Sequence, residues 1–283
     1  MLCNTMFLSR EQMWDLPLGG SKAKTERHIT HWCGNIFYVL FGIMAKVGFR
    51  FSVIGREHLR AFKEAGEGVV VISNHSSYLD VVFLYLSARL KQWIRFMARD
   101  TLFDTGGGLG GQIFARVGAF PVKRDSADRA SIRRATHMLR DGEVVGIFPE
   151  GTRRGKGSSK LELHAGASLI AKMGHAAILP CALVNVGSIK KKGGRIHFNH
   201  VKAIYGTPFE FSSFSFVPKE DRLEACTWYA MRECFALVQD LPASQVDMKA
   251  LFPDTKDYRE VFCGHTISPY VPKQNAAKTK GME

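Results

Sequence analysis

Apolar positions along this chain fall into two textures, and the change between them divides it. From Ile29 to Phe49 they run almost unbroken, with an uninterrupted apolar core of ten residues at Ile36–Ala45. From Val53 onward, short apolar runs alternate with stretches of helical period. Gly68–Ser73 predicts a buried strand, about Ser77–Leu90 a helix and Trp93–Ala98 a second strand. Gly fills five of the eight positions 104–111, which predicts a loop or the beginning of a helix. Ala119–Val122 and Val144–Phe148 predict strands on either side of an amphipathic helix over Ser126–Arg140. Ala165–Met173 predicts a helix, Ile178–Val186 a strand, Arg195–Tyr205 one or two more, and Lys219–Asp240 a long helix. Alternation of this kind predicts an α/β fold, a mostly parallel central sheet flanked by helices. The expected organisation is an N-terminal helical segment over 1–50, an α/β domain over 51–262 and a disordered tail over 263–283, rich in Pro, Lys, Asn and Ala from Ser268.

A spanning helix needs roughly 17–25 mostly apolar residues. Ile29–Phe49 reaches that length only by including His31, Asn35 and Lys46. Trp32, Phe37, Tyr38, Phe41 and Phe49 carry rings suited to the boundary between headgroups and hydrocarbon. The segment therefore predicts an amphipathic, membrane-associating helix that dips into one leaflet without crossing it. A buried core helix has the same pattern.

With 46% hydrophobic and 23% charged residues, disorder over most of the chain is excluded. Lys and Arg exceed Asp and Glu by 13, and between Pro121 and Lys202 the sequence has 16 basic against 6 acidic residues. That surplus points to a polyanion: nucleic acid, an anionic membrane surface or a phosphorylated substrate. A solvated basic surface accounts for any single charge equally well. The six cysteines form no C-x-x-C pair and no metal-ligand spacing, and the first twenty residues lack a secretory pattern. A reducing, cytoplasmic-side location is the expectation.

Two short stretches carry chemistry. Ser73-Asn-His-Ser-Ser-Tyr-Leu-Asp80 follows a buried strand and opens a helix, which is where open α/β sheets bind ligands. His75 and Asp80 lie about 140° apart on a continuous helix, so they meet only if His75 occupies the turn before it. A carboxylate on one imidazole nitrogen would fix the tautomer and strengthen the other as a base. Ser77-x-x-Asp80 is also a capping arrangement, in which Asp80 simply accepts from backbone donors. Phe148-Pro-Glu-Gly-Thr-Arg153 likewise follows a buried strand. Gly151 permits a tight turn, Thr152 supplies a hydroxyl and Arg153 a planar fork suited to phosphate, with Glu150 placed to orient it or to bond a substrate hydroxyl. A strand and turn closed by a surface ion pair has the same composition.

Together these stretches resemble the glycerolipid acyltransferase family, most closely the 1-acylglycerol-3-phosphate (lysophosphatidic acid) acyltransferases. The family's N-H-x-x-x-x-D block matches Asn74, His75 and Asp80, and its F-P-E-G-T-R block matches Phe148–Arg153 throughout. A weaker block fits Gly118–Arg124, with Arg124 at its basic position, and a fourth fits Ile178-Leu-Pro-Cys-Ala182. The resemblance covers about residues 29–210. It departs at Leu163-His-Ala-Gly-Ala167, where many members have a basic residue before Gly-Ala.

The resemblance implies transfer of an acyl chain from a thioester, acyl-coenzyme A or acyl-acyl carrier protein, to the free hydroxyl of 1-acylglycerol-3-phosphate, giving phosphatidic acid. It makes His75 the general base and Asp80 its partner, with Arg124, Glu150, Gly151, Thr152 and Arg153 at the substrate. It calls for no metal and no cofactor beyond the donor substrate, and it places the enzyme on the cytoplasmic side of an anionic membrane, peripheral or monotopic. A sibling acyltransferase acting on glycerol-3-phosphate or another lysophospholipid fits the same blocks. A basic nucleic-acid-binding protein fits the charge, but no nucleic-acid-binding signature accompanies it.

Overall fold

The computed structural model describes residues 31–88, 92–106, 108–122, 128–151, 162–190 and 194–273. Its first element is helix α1 (His31–Phe49), followed by strand β1 (Ser52–Ile54) and helix α2 (Arg56–Ala65). Then come β2 (Val69–Ser73), α3 (Leu79–Ser87), β3 (Ile94–Arg99), α4 (Leu109–Arg116), β4 (Phe120–Val122), α5 (Arg129–Arg140) and β5 (Val144–Ile147). Helix α6 (Gly166–Gly174), β6 (Ala177–Val184), β7 (Lys202–Tyr205), α7 (Arg222–Gln239) and the short α8 (Met248–Leu251) complete the order.

Among the described residues, seven strands form one sheet in the order β1-β7-β6-β2-β5-β3-β4. Every pairing is parallel except β6 with β7. Strand β2 is wholly buried because both of its faces are covered. Val69 and Val71 point into a core with α1, α2 and α3, while Val70 and Ile72 point into a second core with α5, α6 and α7. That explains its unbroken Val-Val-Val-Ile run, the signature of a strand with no solvated side.

Several elements depart from the sequence expectation. Helix α2 was not expected, although Leu59, Phe62 and Ala65 give it a buried face and Gly66 in the left-handed region ends it. The glycine-rich stretch, by contrast, leads into a helix at Leu109, as its composition predicts. The tail expected from 263 is packed well beyond that residue. Ile267 is buried, Tyr270 stacks on Phe62 with centroids 5.9 Å apart, and the Tyr270 hydroxyl and the Lys273 N–H donate to Glu67. These contacts supply the fixing energy that polar composition alone does not announce; residues 274–283 lie outside the described ones.

Of the expected N-terminal segment, residues 1–30 lie outside the described ones. Helix α1 does not divide cleanly into an apolar and a polar face. Phe37, Phe41, Ala45 and Phe49 pack inward, yet Ile36, Leu40, Ile43 and Val47 on the outer side are apolar too. No helix among the described residues is long and apolar enough to cross a membrane.

Candidate active site

Strands β2 and β5 are far apart in sequence but neighbours in the sheet, paired parallel with Ile72 opposite Ile147. Their carboxyl ends therefore release the two chemistry-bearing stretches side by side. Asn74 holds the first in place. Its amide donates to the carbonyl of Leu183 (2.9 Å) and accepts from the Leu183 N–H (2.8 Å), extending the β2–β6 pairing with a side chain where the backbone turns away.

His75 lies in the turn and Asp80 in the first turn of α3, as their spacing requires for contact. The imidazole Nδ1 is 3.0 Å from Asp80 Oδ2. The Asp80 side chain is fully buried and the His75 side chain 13% exposed. Asp80 also accepts from the backbone N–H groups of Ser76 (2.5 Å) and Ser77 (2.6 Å) and from the Ser76 hydroxyl (3.3 Å). Capping and imidazole binding, which the sequence offered as alternatives, are thus both performed by one carboxylate. An anion with several such donors is strongly held despite its burial.

Glu150, also buried, reaches across from the β5 turn. Its Oε1 accepts the backbone N–H of His75 (2.8 Å), so the carboxylate expected at the substrate spends one oxygen on the turn itself. All three N–H groups of His75, Ser76 and Ser77 are consequently engaged by carboxylates. The Phe148 ring stacks on the imidazole at 4.4 Å and 25°, and Phe96 lies behind Phe148 at 6.4 Å. The ring is fixed by stacking on one side and by Asp80 at Nδ1, while among the described residues its Nε2 has no hydrogen-bond partner.

Gly151 adopts φ +63°, and a Cβ there would sit 2.7 Å from the His164 ring. His164 stands where the family pattern has a basic residue nearby; its backbone N–H donates to the Pro149 carbonyl (2.9 Å), tying the departing segment to the turn. Arg124, Thr152 and Arg153 lie outside the described residues. Strand β4, which leads to Arg124, pairs parallel with β3, so its carboxyl end faces the same side of the sheet as His75.

Sequence reasoning missed Asn74 as a clamp, Phe148 as a stacking partner and Glu150 as the acceptor of the His75 N–H. Each depends on which strands are neighbours, and the local pattern carries no signal for that. Of the described thiols, Cys181, Cys226 and Cys234 are buried, and burial pushes the Cys226 thiol up to about 12, which makes these three poor nucleophiles.

Residues 50–184 match the Acyltransferase family model. Over 199 residues the chain is 33% identical to the 1-acyl-sn-glycerol-3-phosphate acyltransferase of Bacillus subtilis (strain 168), covering 69% of this chain and 90% of that protein. Over 176 residues it is 28% identical to the chloroplastic 1-acyl-sn-glycerol-3-phosphate acyltransferase LPAT1 of Arabidopsis thaliana, covering 61% of this chain and 48% of that longer protein. The crystal structure of the 1-acyl-sn-glycerophosphate (LPA) acyltransferase PlsC from Thermotoga maritima shares the fold. The TM-score is 0.54 at 20% identity, over 75% of this chain and 81% of that one.

Proposed function

The chain belongs to the acyltransferase family and is an O-acyltransferase of that class, and from this premise we propose that it acylates the free hydroxyl of 1-acylglycerol-3-phosphate to give phosphatidic acid. The observation that carries the proposal is the His75–Asp80 pair, oriented through Nδ1 and, among the described residues, without a partner at Nε2, at the carboxyl end of β2 beside that of the parallel strand β5.

In this reading Nε2 accepts the proton of the acceptor hydroxyl as its oxygen attacks the thioester carbonyl. Asp80 stabilises the imidazolium that forms. The tetrahedral intermediate collapses with cleavage of the C–S bond, and the imidazolium returns its proton to the departing thiolate. A thioester is already activated, so no covalent acyl-enzyme is required. The N–H groups of the His75 turn are engaged by Glu150 and Asp80, and backbone N–H groups near the Phe148–Arg153 block are the proposed donors to the oxyanion. Arg153 and Arg124 take the acceptor's phosphate, and Glu150, Gly151 and Thr152 shape the glycerol subsite, Glu150 also fixing the His75 backbone.

The acceptor and product are bilayer lipids, and the outer apolar row of α1 supports a peripheral or monotopic attachment; an anionic, cytoplasmic-side surface is the membrane proposed for it. The donor is an acyl thioester of coenzyme A or acyl carrier protein. The test is an assay of the purified chain with lysophosphatidic acid, glycerol-3-phosphate and other lysophospholipids, each with both donors. Turnover confined to lysophosphatidic acid is expected; a clear preference for glycerol-3-phosphate or a phosphate-esterified lysophospholipid overturns the acceptor assignment.

A further inference from the structure

Helix α1 is largely apolar on its outer side as well as its inner one, and such a helix is most stable when its outer face is also withdrawn from water. Its outer row, Ile36, Leu40, Ile43 and Val47, is about 16 Å long and exposed, with Val47 at 77%. The row does not stop at the end of the helix. Phe198 lies beside Gly48, its ring centroid 5.5 Å from that of Phe49, yet it is 66% exposed, and Ile196 two residues earlier is 60% exposed. Both belong to the connection between β6 and β7, at the end of the sheet that carries His75.

That connection touches the proposed catalytic turn. A Cβ on Gly187 would lie 3.0 Å from the Ser76 side chain, and Ser76 donates to Asp80. Tyr78, at the start of α3, adds another exposed ring at the same end. The two segments that form the patch carry charge of one sign. No Asp or Glu occurs between Arg27 and Arg56 or between Leu163 and Phe209. Exposed Lys46, Arg50, Lys190 and Arg195 lie on the two segments that form the patch. An apolar surface whose own segments carry only cations complements an anionic bilayer interface. A second copy docked there would set like-charged surfaces face to face, which is unfavourable.

We infer that the β6–β7 connection is a second bilayer-docking element. Ile196 and Phe198 enter the interface, Lys190 and Arg195 meet lipid phosphates, and with α1 they turn the His75 side of the sheet toward the leaflet. The inference rests on the lipid-acceptor reading for its purpose, but its test reads binding separately from turnover.

The experiment uses the full chain, with phosphatidylcholine vesicles prepared with and without phosphatidylglycerol. Co-flotation measures binding, and turnover is measured both on vesicle-borne lysophosphatidic acid and on a short-chain, water-soluble analogue. For the Ile196→Ser/Phe198→Ser double variant, the vesicle concentration giving half-maximal binding should rise at least about tenfold, with turnover of the soluble analogue unchanged. Lys190→Glu/Arg195→Glu should weaken binding only to vesicles containing phosphatidylglycerol. Wild-type binding by the double variant overturns the proposal, as does equal loss of turnover on both acceptors, which would mark a structural role. A wild-type dimer that the double variant dissociates assigns the patch to a second copy. Unchanged binding by the double variant in a chain whose binding collapses without residues 1–30 assigns attachment to that segment. If the wild type binds vesicles through these residues but acylates no lysophosphatidic acid, the acceptor reading fails and the docking element stands.

Discussion

Strand β2 ends in a carboxylate-centred network at each terminus, and the two networks differ in what they leave over. At its amino end Glu67 accepts the Tyr270 hydroxyl (2.7 Å) and the Lys273 N–H (3.0 Å), pinning the C-terminal segment to the base of the sheet. Burial and the Glu67 carboxylate push the Tyr270 hydroxyl above its ordinary value, so it stays a neutral donor. The surface cleft there carries Glu67 and Glu210 together with Arg140 and Lys273, acids and bases in balance. At the carboxyl end Asp80 and Glu150 likewise satisfy backbone donors, but Asp80 also holds an imidazole whose second nitrogen has no hydrogen-bond partner among the described residues. Both networks stabilise a turn. Among the described residues only the second includes an imidazole nitrogen left without a partner, and that difference separates a structural use of buried carboxylates from the use proposed for catalysis.

Substituting His75 breaks the comparison most sharply. His75→Ala should lower kcat by about 10²–10⁴ with little change in melting temperature, read by steady-state kinetics and thermal unfolding. Near-wild-type turnover would reduce the carboxyl-end network to a second structural one. Asp80→Asn should cost a similar factor in rate and also about 1.5–3 kcal/mol of stability, because its amide replaces a charged acceptor of backbone N–H groups. The double variant should be little slower than either single one if the two groups act as a unit.

Arg153→Ala should raise the acceptor KM roughly 10- to 150-fold, and more than the donor KM, through loss of a charge-assisted phosphate contact. Arg124→Ala should do the same to a smaller extent; unchanged acceptor kinetics would assign either residue to structure. The smallest effect belongs to the other end of β2. Tyr270→Phe should leave kcat and both KM values unchanged while costing about 0.5–1.5 kcal/mol, visible as a modest fall in melting temperature. A loss of activity there would show that the two ends are coupled through the strand.

By itself the sequence determined the alternation of strands and helices, the burial of β2 and β5, and the residue types at their carboxyl ends. These features are local. A run of Val and Ile announces a strand covered on both faces, and a His and an Asp five positions apart admit contact only across a turn. The family resemblance rested on the same local blocks, and the comparisons bear out the family. Tertiary structure alone decided that β5 inserts between β2 and β3, so that Phe148 stacks on His75 and Glu150 reaches its backbone. It also decided that Asp80 both caps and binds, and that Tyr270 meets a carboxylate about two hundred residues earlier. Periodicity reports which face of an element is apolar. Strand order depends on the crossovers that link strands distant in sequence, and the hydrogen bonds made across that order leave no trace in the local pattern.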